Sequence, residues 1–327
     1  MDAKPADAGL NLVNGLVPCT AAELPSGGTG AFFTAKDGAR LRYAIWTQAN
    51  AAKGSVFILP GRTEFIEKYG ELIGELLARG FNVAAIDWRG QGLSARLLSD
   101  PLRGHIADFR VYVEDFAALA AGPFASMPKP WTLLAHSMGR GIGMQILQLH
   151  PEFAQAAIFS APLLNILTAR IPKPVARLIG LGAKLGFAGS YVPSGRGKTI
   201  LEEDFSENVV THDERRYERP KSVALAEPRL ALAAPTIGWA QAVFEGADRI
   251  FAPGALEVVK IPLLLLIAAE EALIDNDATR AASKRLPNAR LVEIPGSRHE
   301  ILMELDPVRE IFWSEFDGFM TSKNSNS

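Results

Sequence analysis

A serine hydroxyl is a poor nucleophile at neutral pH, so a serine that does chemistry needs a base to take its proton and an acid to orient that base. Ser137 is the serine placed for it. It stands in Ala135-His136-Ser137-Met138-Gly139, where the apolar run Trp131-Thr132-Leu133-Leu134-Ala135 stops and small residues lead into a helix-compatible segment. A nucleophile on a sharp strand-to-helix turn needs small neighbours, because the backbone there is strained and crowded. Ala135 replaces the first glycine of Gly-x-Ser-x-Gly, the smallest possible departure. The same serine could simply cap the helix that follows, so the pentapeptide does not name a function alone.

Five histidines are available as base. His136 is adjacent to the serine and points the wrong way, His150 ends a helix, His105 precedes one, and His212 lies in a charged stretch. His299 remains, in Pro295-Gly296-Ser297-Arg298-His299-Glu300, a loop just after the last expected strand. The acid should lie between serine and histidine in sequence, directly after the penultimate strand. Glu270, Glu271, Asp275 and Asp277 all qualify on location, and any three could be solvated loop carboxylates. The oxyanion formed on attack needs two preorganised donors. The N–H of Met138 follows the nucleophile, and the loop after Val56–Leu59 offers the N–H of Arg62.

The elements that must position these groups alternate. An antiparallel hairpin is expected from Phe32-Phe33-Thr34 and Leu41–Ile45 about an Asp37-Gly38 turn. Then come strand Val56–Leu59, a helix from about Tyr69 to Arg79, strand Val83–Ile86, and a glycine-rich loop from Asp87 to Ser94. A helix from Phe109 to Ala121, the strand feeding Ser137, a helix from Gly139 to His150 and strand Ala156–Phe159 follow. Near the end are Leu263–Ala268, a helix from Asp277 to Leu286, Arg290–Ile294 and a last helix near Val308–Met320. Strands apolar on both faces alternating with helices predict an α/β, doubly wound, mostly parallel sheet.

Residues 1–30, rich in Ala, Gly and Pro, are expected to be a loosely held arm. Residues 31–162 and 254–327 form the core, and 163–253 an inserted, mostly helical cap. Between Phe153 and Leu201 there are six basic residues, Arg170, Lys173, Arg177, Lys184, Arg196 and Lys198, and no acidic one. Val175, Leu178, Ile179 and Leu185 fall near helical spacing on another face from Arg177 and Lys184. The run is either a solvated surface or a face for anionic lipid head groups.

With 327 residues, 48% of them hydrophobic, the chain can fill a sizeable core. A net charge of −2 argues against nucleic acid as a partner. The lone Cys19 excludes an internal disulfide and cysteine-based zinc sites. No basic region precedes a long apolar segment, and Ile261–Ala269 is too short to span a bilayer, so a cytoplasmic location is expected by default. Two decoys are set aside. Gly195-Arg196-Gly197-Lys198-Thr199 ends like a phosphate-binding loop but has Val192 where the motif needs glycine. Asp87 belongs to a loop whose role is architectural.

Pro60-Gly61-Arg62 with Tyr69-Gly70, Asp87-Trp88-Arg89-Gly90-Gln91-Gly92-Leu93-Ser94, His136-Ser137-Met138-Gly139 and Gly296-Ser297-Arg298-His299-Glu300 together resemble the monoglyceride lipase and bacterial lysophospholipase group of serine α/β-hydrolases. The likeness covers about residues 30–320. It implies a triad in which the acid stands four residues before a loop aspartate, here Glu271 before Asp275. Most relatives carry aspartate at that place, and Pro60 stands where many carry histidine. The resemblance implies a carboxylic ester hydrolase acting on a single-chain acyl lipid through an acyl-enzyme on Ser137, with no metal or organic cofactor. The partners implied are the acyl-lipid or ester substrate and, through the cap, an anionic membrane at whose inner face the protein sits peripherally. A small-molecule carboxylesterase, or a non-catalytic lipid-binding protein of this fold, is the alternative.

Overall fold

The computed structural model describes residues 10, 12–49, 53–161, 173–193 and 198–324. Arg170 and Arg196 of the basic run, and most of the glycine-rich decoy, lie outside them, as do the side chains of Lys173 and Arg177. Eight strands form one sheet: β1 (Thr29–Thr34), β2 (Arg40–Trp46), β3 (Ser55–Leu59), β4 (Asn82–Ile86), β5 (Trp131–His136), β6 (Ala156–Ser160), β7 (Leu263–Ala268) and β8 (Ala289–Ile294). Their spatial order is β1-β2-β4-β3-β5-β6-β7-β8. Only β1–β2 and β2–β4 pair antiparallel, and all other neighbours are parallel.

Every residue of β3, β4, β5, β6 and β7 is buried, which is why these runs read as apolar on both faces. The covering helices are α1 (Gly70–Ala78), α2 (Arg110–Ala121), α3 (Met138–Leu149), α7 (Asn276–Ser283) and α8 (Asp306–Asn324). Each falls within a few residues of its expected bounds. Between β6 and β7 lie α4 (Lys173–Gly182), α5 (Glu214–Ala226) and α6 (Ile237–Phe251), with short turns between them. This segment meets the carboxyl ends of the strands. Thr236 N–H donates to Gly104 O at 2.9 Å after β4, and Glu300 N–H donates to Val210 O at 2.7 Å after β8.

The amino-terminal segment is not loose where it is described. Leu16, Val17 and Ala22 are buried, Val17 N–H donates to Glu67 Oε1 at 2.9 Å, and Gly30 N–H donates to Asn14 O at 2.7 Å. Scattered apolar residues with no period can still fill a groove. Periodicity detects only regular elements.

The loop after β4 is held by a buried charge cluster. Arg42, on β2, donates from Nε to Asp87 Oδ2 at 2.7 Å and from its two terminal nitrogens to Glu67 at 2.9 and 2.7 Å. Asp87 also accepts the N–H groups of Ile66 at 3.0 Å and Leu93 at 2.8 Å. All of its work is therefore architectural. Arg42→Met would leave two carboxylates buried without their cation, a loss of about 3–5 kcal/mol in a denaturant titration. An unfolding midpoint unchanged from the parent protein would contradict that account.

Candidate active site

Ser137 sits between β5 and α3 with φ +49° and ψ −117°, a conformation that costs a non-glycine residue roughly 1–3 kcal/mol. Three features hold it there. Ser137 N–H donates to Ser160 O on β6 at 3.2 Å, and Arg140 N–H donates to Ser137 O at 3.1 Å as α3 begins. The third is the close approach at Gly139, where an added Cβ would stand 2.0 Å from Leu59 O and 2.6 Å from Pro60 O. The first turn of α3 thus rests directly on the end of β3. Only glycine permits it, and this is the physical reason for the small residue two places after the serine. Ala135 is fully buried in β5, and its methyl is accommodated where glycine is the commoner choice.

His299 lies in the loop after β8. Its Nε2 is 2.9 Å from Ser137 Oγ, and its Nδ1 is 2.8 Å from Glu271 Oε2. An ionised carboxylate only accepts, so the proton of the neutral ring belongs on Nδ1, which leaves the Nε2 lone pair facing the serine hydroxyl. Glu271 is itself fixed, with Oε1 accepting the N–H groups of Leu273 at 2.8 Å and Ile274 at 3.3 Å. Burial pushes the Glu271 carboxyl up, but the bond to His299, the charge of its ring and the two backbone N–H groups outweigh burial and hold it below the usual glutamate value. It stays ionised at neutral pH.

The other candidate acids are elsewhere. Asp275 caps α7, accepting the N–H of Asp277 at 2.9 Å. Asp277 pairs with Arg280 at 2.9 Å. Glu270 Oε2 is 3.3 Å from His212 Nε2. The remaining histidines also have other partners: His105 bonds Thr236 at 2.8 Å, His150 lies 3.3 Å from Glu152, and His212 Nδ1 is 2.9 Å from Glu304. His136 is buried facing Glu64, with Nε2 3.6 Å from Oε1. Burial pushes its imidazole down to about 3, so it is neutral.

The loop after β3 is pinned on three sides. Trp88 Nε1 donates to Pro60 O at 2.9 Å, Gln91 Nε2 donates to Gly61 O at 2.8 Å, and Gly61 N–H donates to Glu64. Among the described residues the N–H of Arg62 has no hydrogen-bond partner. Met138 N–H opens α3 and has no intrahelical acceptor. The Arg62 side chain is not a surface charge. It donates to Ala233 O in the β6–β7 segment and lies 5.5 Å from the centre of the Trp239 ring, and burial pushes it down to about 10.

Sequence reasoning did not find the charged residues beside this loop, Glu64 and Lys68. Their four-residue spacing reads as a solvated helix pair, whereas the turn Ile66–Tyr69 is buried throughout.

Sheet order, strand-turn-helix and histidine loop are those of the α/β-hydrolase fold, and the class is that of hydrolases. The chain belongs to the family described as serine aminopeptidase, S33, whose model matches residues 50–306. It is 35% identical over 285 residues to Lysophospholipase L2 of Escherichia coli strain K12, covering 83% of this chain and 82% of that protein. It is 26% identical over 278 residues to Monoacylglycerol lipase of Mycolicibacterium smegmatis, covering 83% and 90%. In three dimensions it is similar to a soluble variant of monoglyceride lipase from Saccharomyces cerevisiae in complex with a substrate analog. That match has a TM-score of 0.73 at 18% identity and covers 94% of this chain and 99% of the other.

Gly139→Ala tests the close approach. The extra methyl must displace the carbonyls of Leu59 and Pro60, so ester turnover is expected to fall at least about 100-fold, as for a misplacement of about 1 Å at a reacting centre. Turnover within a factor of three of the parent would show that the first turn of α3 has room to spare.

Proposed function

We propose that this chain hydrolyses the carboxylic ester of a single-chain acyl lipid, a lysophospholipid in the first place, through an acyl-enzyme on Ser137. The observation that carries the reading is the continuous hydrogen-bonded chain from Glu271 through His299 to Ser137, at 2.8 and 2.9 Å. The choice of lipid rests on the relatives named above and on the apolar face described below.

In the reaction, Ser137 Oγ attacks the ester carbonyl while its proton passes to His299 Nε2. Glu271 stabilises the resulting imidazolium without taking its proton. The N–H groups of Met138 and Arg62 hold the oxyanion. Collapse expels the glycerol-side alcohol, which takes the proton from Nε2. Water then enters, gives a proton to Nε2 and attacks the acyl-enzyme, and Ser137 recovers its hydroxyl as the fatty acid leaves.

Residues 163–253 form the cap in this reading, and the cap meets the lipid surface. Leu178, Leu181, Leu185 and Phe187 are 64, 52, 65 and 57% exposed along α4 and the turn after it, and Lys184 is exposed beside them. An apolar stripe with a cation beside it suits an anionic bilayer, each cation contributing about 1 kcal/mol near the surface. No helix among the described residues is long and apolar enough to cross a membrane.

A panel of lysophospholipids, monoacylglycerols and short p-nitrophenyl esters tests the reading. Ser137→Ala is expected to abolish hydrolysis of all of them with the fold intact, and Glu271→Gln to lower turnover at least tenfold more than Asp275→Asn. The reverse ranking would move the acid to Asp275. Preference for monoacylglycerol would replace the charged head group by a neutral one, and preference for the short esters would make this a small-molecule carboxylesterase. Replacing Arg170, Lys173, Arg177 and Lys184 with glutamine should weaken co-sedimentation with anionic vesicles at low salt and slow hydrolysis of vesicle-borne lysophospholipid, while short-ester turnover stays close to the parent's. Equal behaviour of parent and variant on both substrates, with no vesicle binding at any salt, would leave the basic run as a solvated face.

A further inference from the structure

Beside the triad lies a second group of ionisable side chains that the reaction above does not use. Glu64 is 4% exposed and Lys68 is 8% exposed, at the end of the loop that carries Gly61 and Arg62. Glu64 accepts three hydrogen bonds, and a fourth group faces it just beyond bonding distance. Gly61 N–H and the Tyr69 hydroxyl donate to Oε2, Lys68 Nζ donates to Oε1 at 2.9 Å, and His136 Nε2 stands 3.6 Å from Oε1. Lys68 Nζ then donates to Glu300 Oε1 at 2.6 Å. Glu300 is the residue next to His299, and the His136 and His299 rings are 5.1 Å apart, centre to centre.

Ligand atoms of Glu64, His136 and Glu300 all lie within 4.8 Å of one another, a set that could hold a metal ion. The Lys68 ammonium already bonds both carboxylates, so the cation this cluster needs is a side chain of the protein. Burial pushes the Glu64 carboxyl up, but the Lys68 ammonium and the Tyr69 hydroxyl hold it down at about 2. Burial pushes the Lys68 ammonium down, and Glu300 and Glu64 more than reverse it. Both groups are charged across the pH range in which a histidine base works.

A charged pair this deeply buried gives little net stability, since desolvation offsets most of its attraction. Its use has to be sought in what it joins. Gly61 N–H is one residue from the proposed oxyanion donor of Arg62, and Glu300 is one residue from the proposed base. We propose that Lys68 and Glu64 are positioning residues that tie the loop of Gly61 and Arg62 to the loop of His299, fixing the oxyanion donor relative to the base. This rests on the roles proposed above for Ser137, His299 and Arg62. The pair touches no reacting atom. It acts by holding two loops, from opposite ends of the chain, at one separation.

The test compares the full-length parent with Lys68→Met, Glu64→Gln and Glu300→Ala, using a short p-nitrophenyl ester. Active sites are counted with a fluorophosphonate probe, so that misfolded protein drops out of the rate. Lys68→Met is expected to lower kcat per labelled site about 100-fold with KM within about twofold, because a displaced oxyanion donor acts on the transition state and not on the bound ester. Affinity for a boronic acid inhibitor, whose tetrahedral anion resembles that state, should fall in the same proportion. Lys68→Met leaves two buried carboxylates and Glu64→Gln an altered one, so either can fail to fold. Glu300→Ala, on a side chain 16% exposed, removes the tie to the His299 loop and should lower kcat per site about tenfold, again with KM held. A kcat per labelled site within twofold of the parent in Glu300→Ala, with only the melting temperature or the labelled fraction reduced, would overturn the proposal and leave the cluster a structural one. Hydrolysis that survives Ser137→Ala would instead overturn the triad reading beneath it, and the positioning role with it.

Discussion

The site depends on one close contact, that of the first turn of α3 against the end of β3. Gly139 rests so near Leu59 O and Pro60 O that no side chain fits between them. This contact forces the chain to turn within a single residue after β5, and that residue is Ser137, left at positive φ. The same contact brings the loop beyond β3 beside the nucleophile. The strained serine and the neighbouring loop therefore follow from one packing constraint, set by the parallel pairing of β3 with β5. The strain is sustained because both flanking elements are buried.

The proposed base and acid reach the serine by a different route. β7 and β8 add to the far side of β6 in parallel, so the loops after them emerge at the same end of the sheet as Ser137. Glu271 hangs from the first loop and His299 from the second. Their bond also locks the two loops together, since the Glu271 carboxylate is already bound to its own backbone through Leu273 and Ile274. The longer glutamate side chain is held in place because this loop turns back on its carboxylate through the N–H groups of Leu273 and Ile274.

Much of this was legible in the sequence, for identifiable reasons. Fully buried parallel strands leave apolar runs such as Val56–Leu59 and Leu263–Ala268, and the helices between them keep their period. As candidates, Ser137 was legible because it directly follows such a run, and His299 because it stands in the loop after the last strand. Glu271 was not separable from Glu270, Asp275 and Asp277 by location, since the choice is made by where a loop carboxylate points. The resemblance to a known group points to Glu271, the candidate whose carboxylate lies 2.8 Å from His299 Nδ1. Glu64 and Lys68 stayed invisible because a charged pair four residues apart looks the same whether it faces water or the interior. The residues from Val13 to Ala22 were misread because packing without a period leaves no pattern, although Leu16 and Val17 are as buried as strand residues.

The central claim is that Ser137 is the one nucleophile, activated by His299. Its most direct test is mass-spectrometric mapping of the adduct formed by a fluorophosphonate on the full-length protein, with His299→Ala treated in parallel. The account expects a single phosphonyl adduct, on the peptide containing Ser137, whose rate of formation collapses in the His299 variant. An adduct on any other residue, or labelling of Ser137 at an undiminished rate without His299, would contradict it.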